Sequence, residues 1–323
     1  MSERPPRYGD PVPPQRRGGE APERRPTLVD RAEHAALVAV LGAAAALPER
    51  AREPFVGALA TAAYRGVGIR RDVTEANLRL AFPDADDAWI RATGRACYAH
   101  LAREMLVAVR LGSMTPAEVR ARARVRGLEL LEEPLGRGDG VVLITGHFGN
   151  WEMGGATLAA HGVPLDVVAQ RQRNPLVDGI INRSRGHSGM GLIERSRATR
   201  QGLRALRDGR AVGFVADQDA RRAGVFVPFF GRPASTHRGP AILALRSGAP
   251  VFILTAVRAG AGYEVHLEPV EVSRAGDTED VVRRITAAAT ARLEAAIRRH
   301  PEQYLWLHKR WKSRPPDESG KGR

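Results

Sequence analysis

The chain has 323 residues, enough to bury a full hydrophobic core in one large domain or two smaller ones. Lys plus Arg number 50 against 36 Asp plus Glu, a formal charge of +14 carried almost wholly by arginine; it points to an anionic partner such as an acidic membrane surface, a phosphorylated lipid, an acidic carrier protein or nucleic acid. A single cysteine, Cys97, excludes an internal disulfide and any multi-cysteine metal site, and the missing P-loop, dinucleotide fingerprint and GxSxG elbow argue against kinases, NAD enzymes and serine hydrolases.

Residues 1–26 are rich in Pro and Arg and carry hardly any apolar side chains, so a disordered tail is expected rather than a secretory signal, and 316–323 read as a second tail. Residues 35–47 form an Ala, Leu and Val run that is shorter than the roughly 20 residues needed to span a bilayer. Residues 55–67 form another apolar run, followed by Arg70 and Arg71. Together 27–72 read as membrane-associating helices lying in the interface, with two buried helices of a soluble domain as the alternative. The segment 74–82 predicts a helix capped by Thr74 and stopped by Pro83, and 86–111 predicts a longer one. Within the latter, Cys97 reads as a buried structural thiol and Glu104 as an ion-pair partner of Arg103 or Arg110.

From residue 140 the pattern changes. Val141 to Ile144 are continuously apolar between Gly140 and Gly146, which suits a strand buried on both faces, and a helix is expected from Trp151. Strands follow at 163–169, 211–216 and 251–257, with helices at 176–185, 198–206 and 239–246 between them; the last of these is expected to be capped by Ser235 or Thr236. Residues 263–270 alternate like an outer antiparallel strand, and 279–299 form a long amphipathic helix. The fold class is α/β: a mixed, mainly parallel central sheet flanked by helices over 73–315, preceded by the N-terminal helical region.

Chemistry belongs at the carboxyl ends of such strands, and His147 is placed there. His147 and Glu152 could not meet on one regular helix, where five positions rotate by about 500°. They could pair if His147 lies in a turn made by Gly149 and Asn150, with Asn150 as N-cap, leaving one imidazole nitrogen free as a base. Asp217 and Asp219 close another apolar strand and match the DxD pattern of metal-dependent glycosyltransferases. Tyr304, Trp306 and Trp311 interleave with His308, Lys309, Arg310, Lys312 and Arg314 in the manner of a membrane-interface cluster; no RNA-binding signature accompanies them, and nucleic acid is not expected as a partner.

The stretch GHFGNWE resembles the HxxxxD/E signature of glycerolipid acyltransferases. Three later blocks, Asn174-Pro175-Leu176 leading to Arg185, Ala216-Asp217-Gln218-Asp219 with VFVPFFG, and PEQY through HKRWK, resemble the bacterial lipid A biosynthesis acyltransferases in the same order. The resemblance covers roughly residues 30–315. It implies transfer of a fatty acyl chain from an acyl carrier protein thioester to a hydroxyl of a phosphorylated glycolipid precursor of lipid A, at the cytoplasmic face of the inner membrane. His147 would be the general base, oriented by Glu152, with backbone N–H groups of 146–150 on the oxyanion. Asn150, Arg185, Asp217 and Arg310 would bind substrate: Arg185 the phosphate, Asp217 orienting Arg185 or the substrate. No cofactor or metal is implied. The alternatives are acylation of a lysophospholipid, an ornithine lipid or a phosphatidylinositol mannoside; from other classes, a DxD glycosyltransferase or a non-enzymatic basic binding protein.

Overall fold

A computed structural model describes residues 24–316, so most of both expected tails lies outside the described residues. Helix α1 (Leu28–Ala46) opens on a capping box in which Thr27 and Asp30 satisfy each other's backbone N–H groups. Helix α2 (Glu49–Thr61) continues into a π-helical turn over Ala62–Val67 that ends at left-handed Gly68. Helix α3 (Arg71–Ala81) starts earlier than its expected Thr74 cap, because the Thr74 hydroxyl is buried inside the helix and donates back to the Arg70 carbonyl at 3.2 Å. Asp86 caps α4 (Asp87–Arg110) by accepting from the Trp89 N–H at 2.7 Å.

Helix α5 (Pro116–Arg122) leads into β1 (Ala123–Arg126), α6 (Glu132–Arg137) and β2 (Val141–Thr145). Then follow α7 (Trp151–Ala160), β3 (Leu165–Ala169), α8 (Pro175–His187), β4 (Gly191–Glu194), α9 (Ala198–Arg207) and β5 (Ala211–Val215). A hairpin, β6 (Val225–Phe229) with β7 (Arg232–Thr236), precedes α10 (Gly239–Ser247), β8 (Val251–Ala259), β9 (Gly262–Pro269) and α11 (Thr278–Arg299). Neither Ser235 nor Thr236 caps α10; both belong to β7, and Arg238 takes the cap position without a side-chain bond. The main sheet has the order β1-β9-β8-β2-β5-β3-β4, parallel except for the β8–β9 pair. The expected outer strand, β9, is antiparallel to β8 but is not an edge, since β1 covers its far side in parallel.

Strand β2 is central because none of its side chains needs water. Val142 and Ile144 enter one core cluster with Val212, Leu243, Ile285 and Leu293, while Val141 and Leu143 enter another with Met153, Leu158 and Phe252. Each such buried aliphatic side chain contributes about 1.5–3 kcal/mol. The crossover from β2 to β3 runs through α7 on one face, and that from β5 to β8 runs through α10 on the other. The two diverge at the carboxyl ends of β2 and β5, leaving a crevice there.

The segment after α11 is a strap across that crevice, with Phe148 bridged to Tyr304, Leu305 N–H donating to the His147 carbonyl at 2.9 Å, and Gly149 N–H donating to the Gln303 carbonyl at 2.9 Å. Tyr304 and Trp306 are therefore core, packed edge to face on each other, with Trp306 also edge to face on Phe82 and Phe230, and not the expected membrane-interface cluster. The expected interfacial run 55–67 packs one face on the domain, with Val56, Ala60 and Tyr64 buried, and leaves Ala58, Thr61, Ala62 and Arg65 exposed; Glu53, just before it, pairs with Arg103 of α4 at 2.5 Å. Helix α1 differs. Leu28, Val29 and Val38 are 82%, 66% and 46% exposed, although Asn174 anchors the helix by donating to the Asp30 carbonyl and to Glu33. No helix among the described residues is long and apolar enough to cross a membrane.

Candidate active site

Strands β2 and β5 run parallel with Thr145 opposite Val215. Two residues further along each strand stand His147 and Asp217, so the register alone makes them lateral neighbours, about one strand spacing of 4.8 Å apart at the backbone. The side chains close that gap: His147 Nδ1 lies 2.7 Å from Asp217 Oδ1. Asp217 is buried, which by itself pushes its carboxyl up, but the His147 ring, the His147 backbone N–H and nearby Arg310 outweigh burial and hold it down at about 2. The carboxylate is thus ionised and accepts the Nδ1 proton, which leaves the Nε2 lone pair on the crevice side, 3.4 Å from the Gln218 side-chain amide. That is the arrangement of a general base.

Glu152 does not supply this carboxylate. In the first turn of α7 its two oxygens take a forked ion pair from Arg185, at 2.5 Å from Nη2 and 3.0 Å from Nε, and Trp151 Nε1 donates to it at 3.1 Å. The expected His147–Glu152 pairing is corrected to His147–Asp217, and Asp217 orients His147 and not Arg185, whose partner is Glu152. The reason is direction. Capped at Asn150, α7 carries Glu152 toward α8, while His147 turns toward β5. Glu152 reaches the base only through Trp151, whose ring packs edge-on against His147 at 4.9 Å.

Asn150 is the cap the spacing predicts, accepting from Met153 N–H at 2.8 Å, but its amide is spent on structure and not on substrate. Asn150 Nδ2 donates to buried Glu104 at 2.6 Å; Glu104 also takes Arg258 Nε at 2.7 Å and the Tyr263 hydroxyl at 2.6 Å, so its ion-pair partner is Arg258 and neither Arg103 nor Arg110. Gly149 adopts φ +58°, and a Cβ there would stand 1.9 Å from the Ala256 carbonyl oxygen. The N–H groups of Gly149 and Asn150 are taken by the Gln303 and Ala256 carbonyls, which removes two of the expected oxyanion donors. Every tie on this turn holds His147 still.

Arg310 is 2% exposed. It lies below Asp217, donating to the Ser235 carbonyl at 2.6 Å and to Thr236 Oγ1 at 2.5 Å, with its guanidinium over the Phe229 ring. Its hydrogen bonds are made within the protein, and its charge helps to hold the Asp217 carboxyl down. Burial, and then Arg195, lower the His237 imidazole to about 4; burial also lowers that of His308, whose Nε2 accepts the Asp219 N–H at 3.0 Å. Both rings are neutral at physiological pH, leaving Arg310 as the cation beside Asp217. An apolar slit runs from Asp217 into the core between Ile144, Phe229, Ala241, Ile253 and Leu293. Cys97, as expected, is buried and structural: its thiol donates to the Tyr304 carbonyl at 3.0 Å, and burial raises it to about 12.

The family model for bacterial lipid A biosynthesis acyltransferases matches residues 27–313. The chain belongs to that family. It is 32% identical to the lipid A biosynthesis palmitoleoyltransferase of Escherichia coli over 207 residues, 63% of this chain and 66% of that protein. It is also 30% identical to the phosphatidylinositol mannoside acyltransferase of Mycolicibacterium smegmatis, with 84% and 89% covered, and 27% identical to the lipid A biosynthesis lauroyltransferase of Escherichia coli, with 78% and 82% covered.

Within this acyltransferase family member the DxD reading dissolves, since Asp217 holds His147 and Asp219 Oδ2 accepts from Ser313 at 3.0 Å. The sequence reading assigns no role to Gln218, between them, or to His237, and places His308 in a membrane-interface cluster and not beside Asp219. The Glu152–Arg185 pair carries a prediction of its own. Both side chains are mostly buried, so Glu152→Gln should lower stability by about 1–3 kcal/mol. In a thermal-denaturation double-mutant cycle, Arg185→Gln should then add little further loss. An unchanged melting temperature together with abolished turnover in Glu152→Gln would return Glu152 to the chemistry.

Proposed function

We propose that this protein transfers a fatty acyl chain from an acyl carrier protein thioester to a hydroxyl of a lipid A precursor, with His147 as general base and Asp217 as the carboxylate that orients it. The observation that carries the reading is the 2.7 Å contact between His147 Nδ1 and Asp217, which leaves Nε2 on the crevice side of the ring as the basic nitrogen. His147 takes the hydroxyl proton as the oxygen attacks the thioester carbonyl, and Asp217 stabilises the imidazolium that forms. No acyl-enzyme is required. The excess of arginine suits an anionic acceptor and an acidic donor protein.

A second acceptor, a phosphatidylinositol mannoside, is kept because the Mycolicibacterium smegmatis relative aligns over more of both chains than the palmitoleoyltransferase does. Mass spectrometry of membrane lipids with and without the gene separates the two. Loss of one acyl chain from lipid A supports the first acceptor, loss from a mannosylated inositol lipid supports the second, and an unchanged lipid profile counts against both.

Attachment to the cytoplasmic face of the inner membrane, as a peripheral or monotopic protein, is read onto α1, whose exposed Leu28, Val29 and Val38 suit insertion beside anionic headgroups. Leu28→Glu with Val38→Glu should release the protein from vesicles containing anionic lipid without lowering its melting temperature. Vesicle binding equal to wild type would remove α1 from the interface.

A further inference from the structure

The proposed reaction builds negative charge on the thioester carbonyl oxygen, and the turn that carries His147 has little left to meet it. Gly149 N–H and Asn150 N–H are consumed by the Gln303 and Ala256 carbonyls, and the Asn150 amide by Glu104. His237 and His308 are half-buried, with His308 Nε2 occupied by the Asp219 N–H, and Arg310 is turned away onto Ser235 and Thr236. One donor does face the reacting nitrogen: the side-chain amide of Gln218 lies with Nε2 3.4 Å from His147 Nε2. Because Nδ1 gives its proton to Asp217, the lone pair at Nε2 requires a donor opposite it, which sets the carboxamide with its NH2 group toward the ring. Gln218 is held there by its neighbours in the chain, since Asp217 is pinned by His147, and Asp219 by Ser313 and His308.

The geometry points to Gln218 as a catalytic residue, the side-chain donor that stabilises the oxyanion of the acyl-transfer step. This rests on the acyl-transfer reading of the site. In the resting protein the amide covers the base. An acceptor hydroxyl displaces it by donating to Nε2 at about 2.6–3.2 Å, and the thioester carbonyl oxygen then lies one bonded carbon beyond the attacking oxygen, within the amide's reach. As the oxygen–carbon bond forms, the hydroxyl proton passes to Nε2 and the carbonyl π pair moves onto oxygen, where Gln218 donates at the 2.7–3.1 Å of an oxyanion hole. The carbonyl then re-forms, the carbon–sulfur bond breaks, and the leaving thiolate takes the proton back from Nε2. The amide makes a stronger bond to the oxyanion than to the neutral carbonyl, so its contribution falls on turnover and not on ground-state affinity.

The test compares Gln218→Met and Gln218→Glu, both close to the native length and both without a donor, using a purified acyl carrier protein thioester with acceptor and, separately, with water alone. Expected is a loss of about 10²–10³ in kcat for transfer, with an equal loss in the slow acceptor-free hydrolysis of the donor, unchanged KM for donor and acceptor, and an unchanged melting temperature. A merely structural role would move the melting temperature, and an acceptor-positioning role would spare hydrolysis; either result overturns the inference, as does turnover within threefold of wild type. Wild-type turnover of the same donor is measured first. Its absence overturns the acyl-transfer reading along with the inference, whereas wild-type turnover with an unimpaired Gln218→Met overturns the inference alone.

Discussion

A folded His147→Ala protein is expected to lose about 10²–10⁴ of its turnover, the usual contribution of a positioned general base. The residue sits in a turn fixed by at least four backbone bonds that do not involve its ring: Gly149 N–H to Gln303, Asn150 N–H to Ala256, Leu305 N–H to the His147 carbonyl, and Ala216 N–H to the Thr145 carbonyl. Removing the imidazole therefore leaves the turn in place. It takes away a partly exposed ring but leaves the buried Asp217 carboxylate without its partner, so the melting temperature should fall while the fold is kept. Acyl transfer from a purified thioester, with thermal denaturation in parallel, checks both halves. Near-wild-type transfer by the folded variant would end the mechanism.

Asp217→Asn should be almost as damaging to the rate and more informative in its pH dependence. The amide keeps the size of the carboxylate but removes the charge that stabilises the imidazolium, and its NH2 group must face donors that the carboxylate accepted. A fall of about 10²–10⁴ in kcat is expected, with the acid limb of the pH–rate profile moved to lower pH. Stability should respond in a definite direction. The folded-state carboxyl is held at about 2, below the roughly 3.9 of an unfolded chain, so its contribution is present above the unfolded value and is lost as pH falls through the folded one. In Asp217→Asn that part of the acid dependence disappears, and the melting temperature between about pH 4 and pH 2 should decline less steeply than in wild type. A variant with wild-type kcat and an unmoved acid limb would show that Asp217 does not serve the base.

The inner sheet was legible because an uninterrupted apolar run between two glycines has few other uses, and β2 forms where Val141 to Ile144 predict it. Strands β1 and β4 were not legible. ARVR and GLIE are short and carry charge, and they are strands because β9 and β3 offer them edges. The His–Glu pair was misread because separation along the chain was weighed and separation across the sheet was not. A usable signal was present: VVLIT and AVGFV are each followed by one small residue and then by His147 or Asp217, which in parallel register places the two side by side. Arg310 and the Tyr304–Trp306 pair were read as surface because arginines are seldom buried and because aromatic clusters have the same composition in a core as at a membrane.

The strap has a consequence for the order in which the protein is made. The partners that fix residues 147–149 are Gln303, Tyr304 and Leu305, which leave the ribosome long after the strand they hold. A growing chain can pair β2 with β5, and later with β8, while its histidine turn still lacks half of its ties. Termination between the end of α11 at Arg299 and residue 303 would yield a polypeptide with the sheet, His147 and Asp217, yet without the ties that fix the turn between them. Helix α1 is synthesised long before residues 303–305, so the turn that carries His147 is completed last.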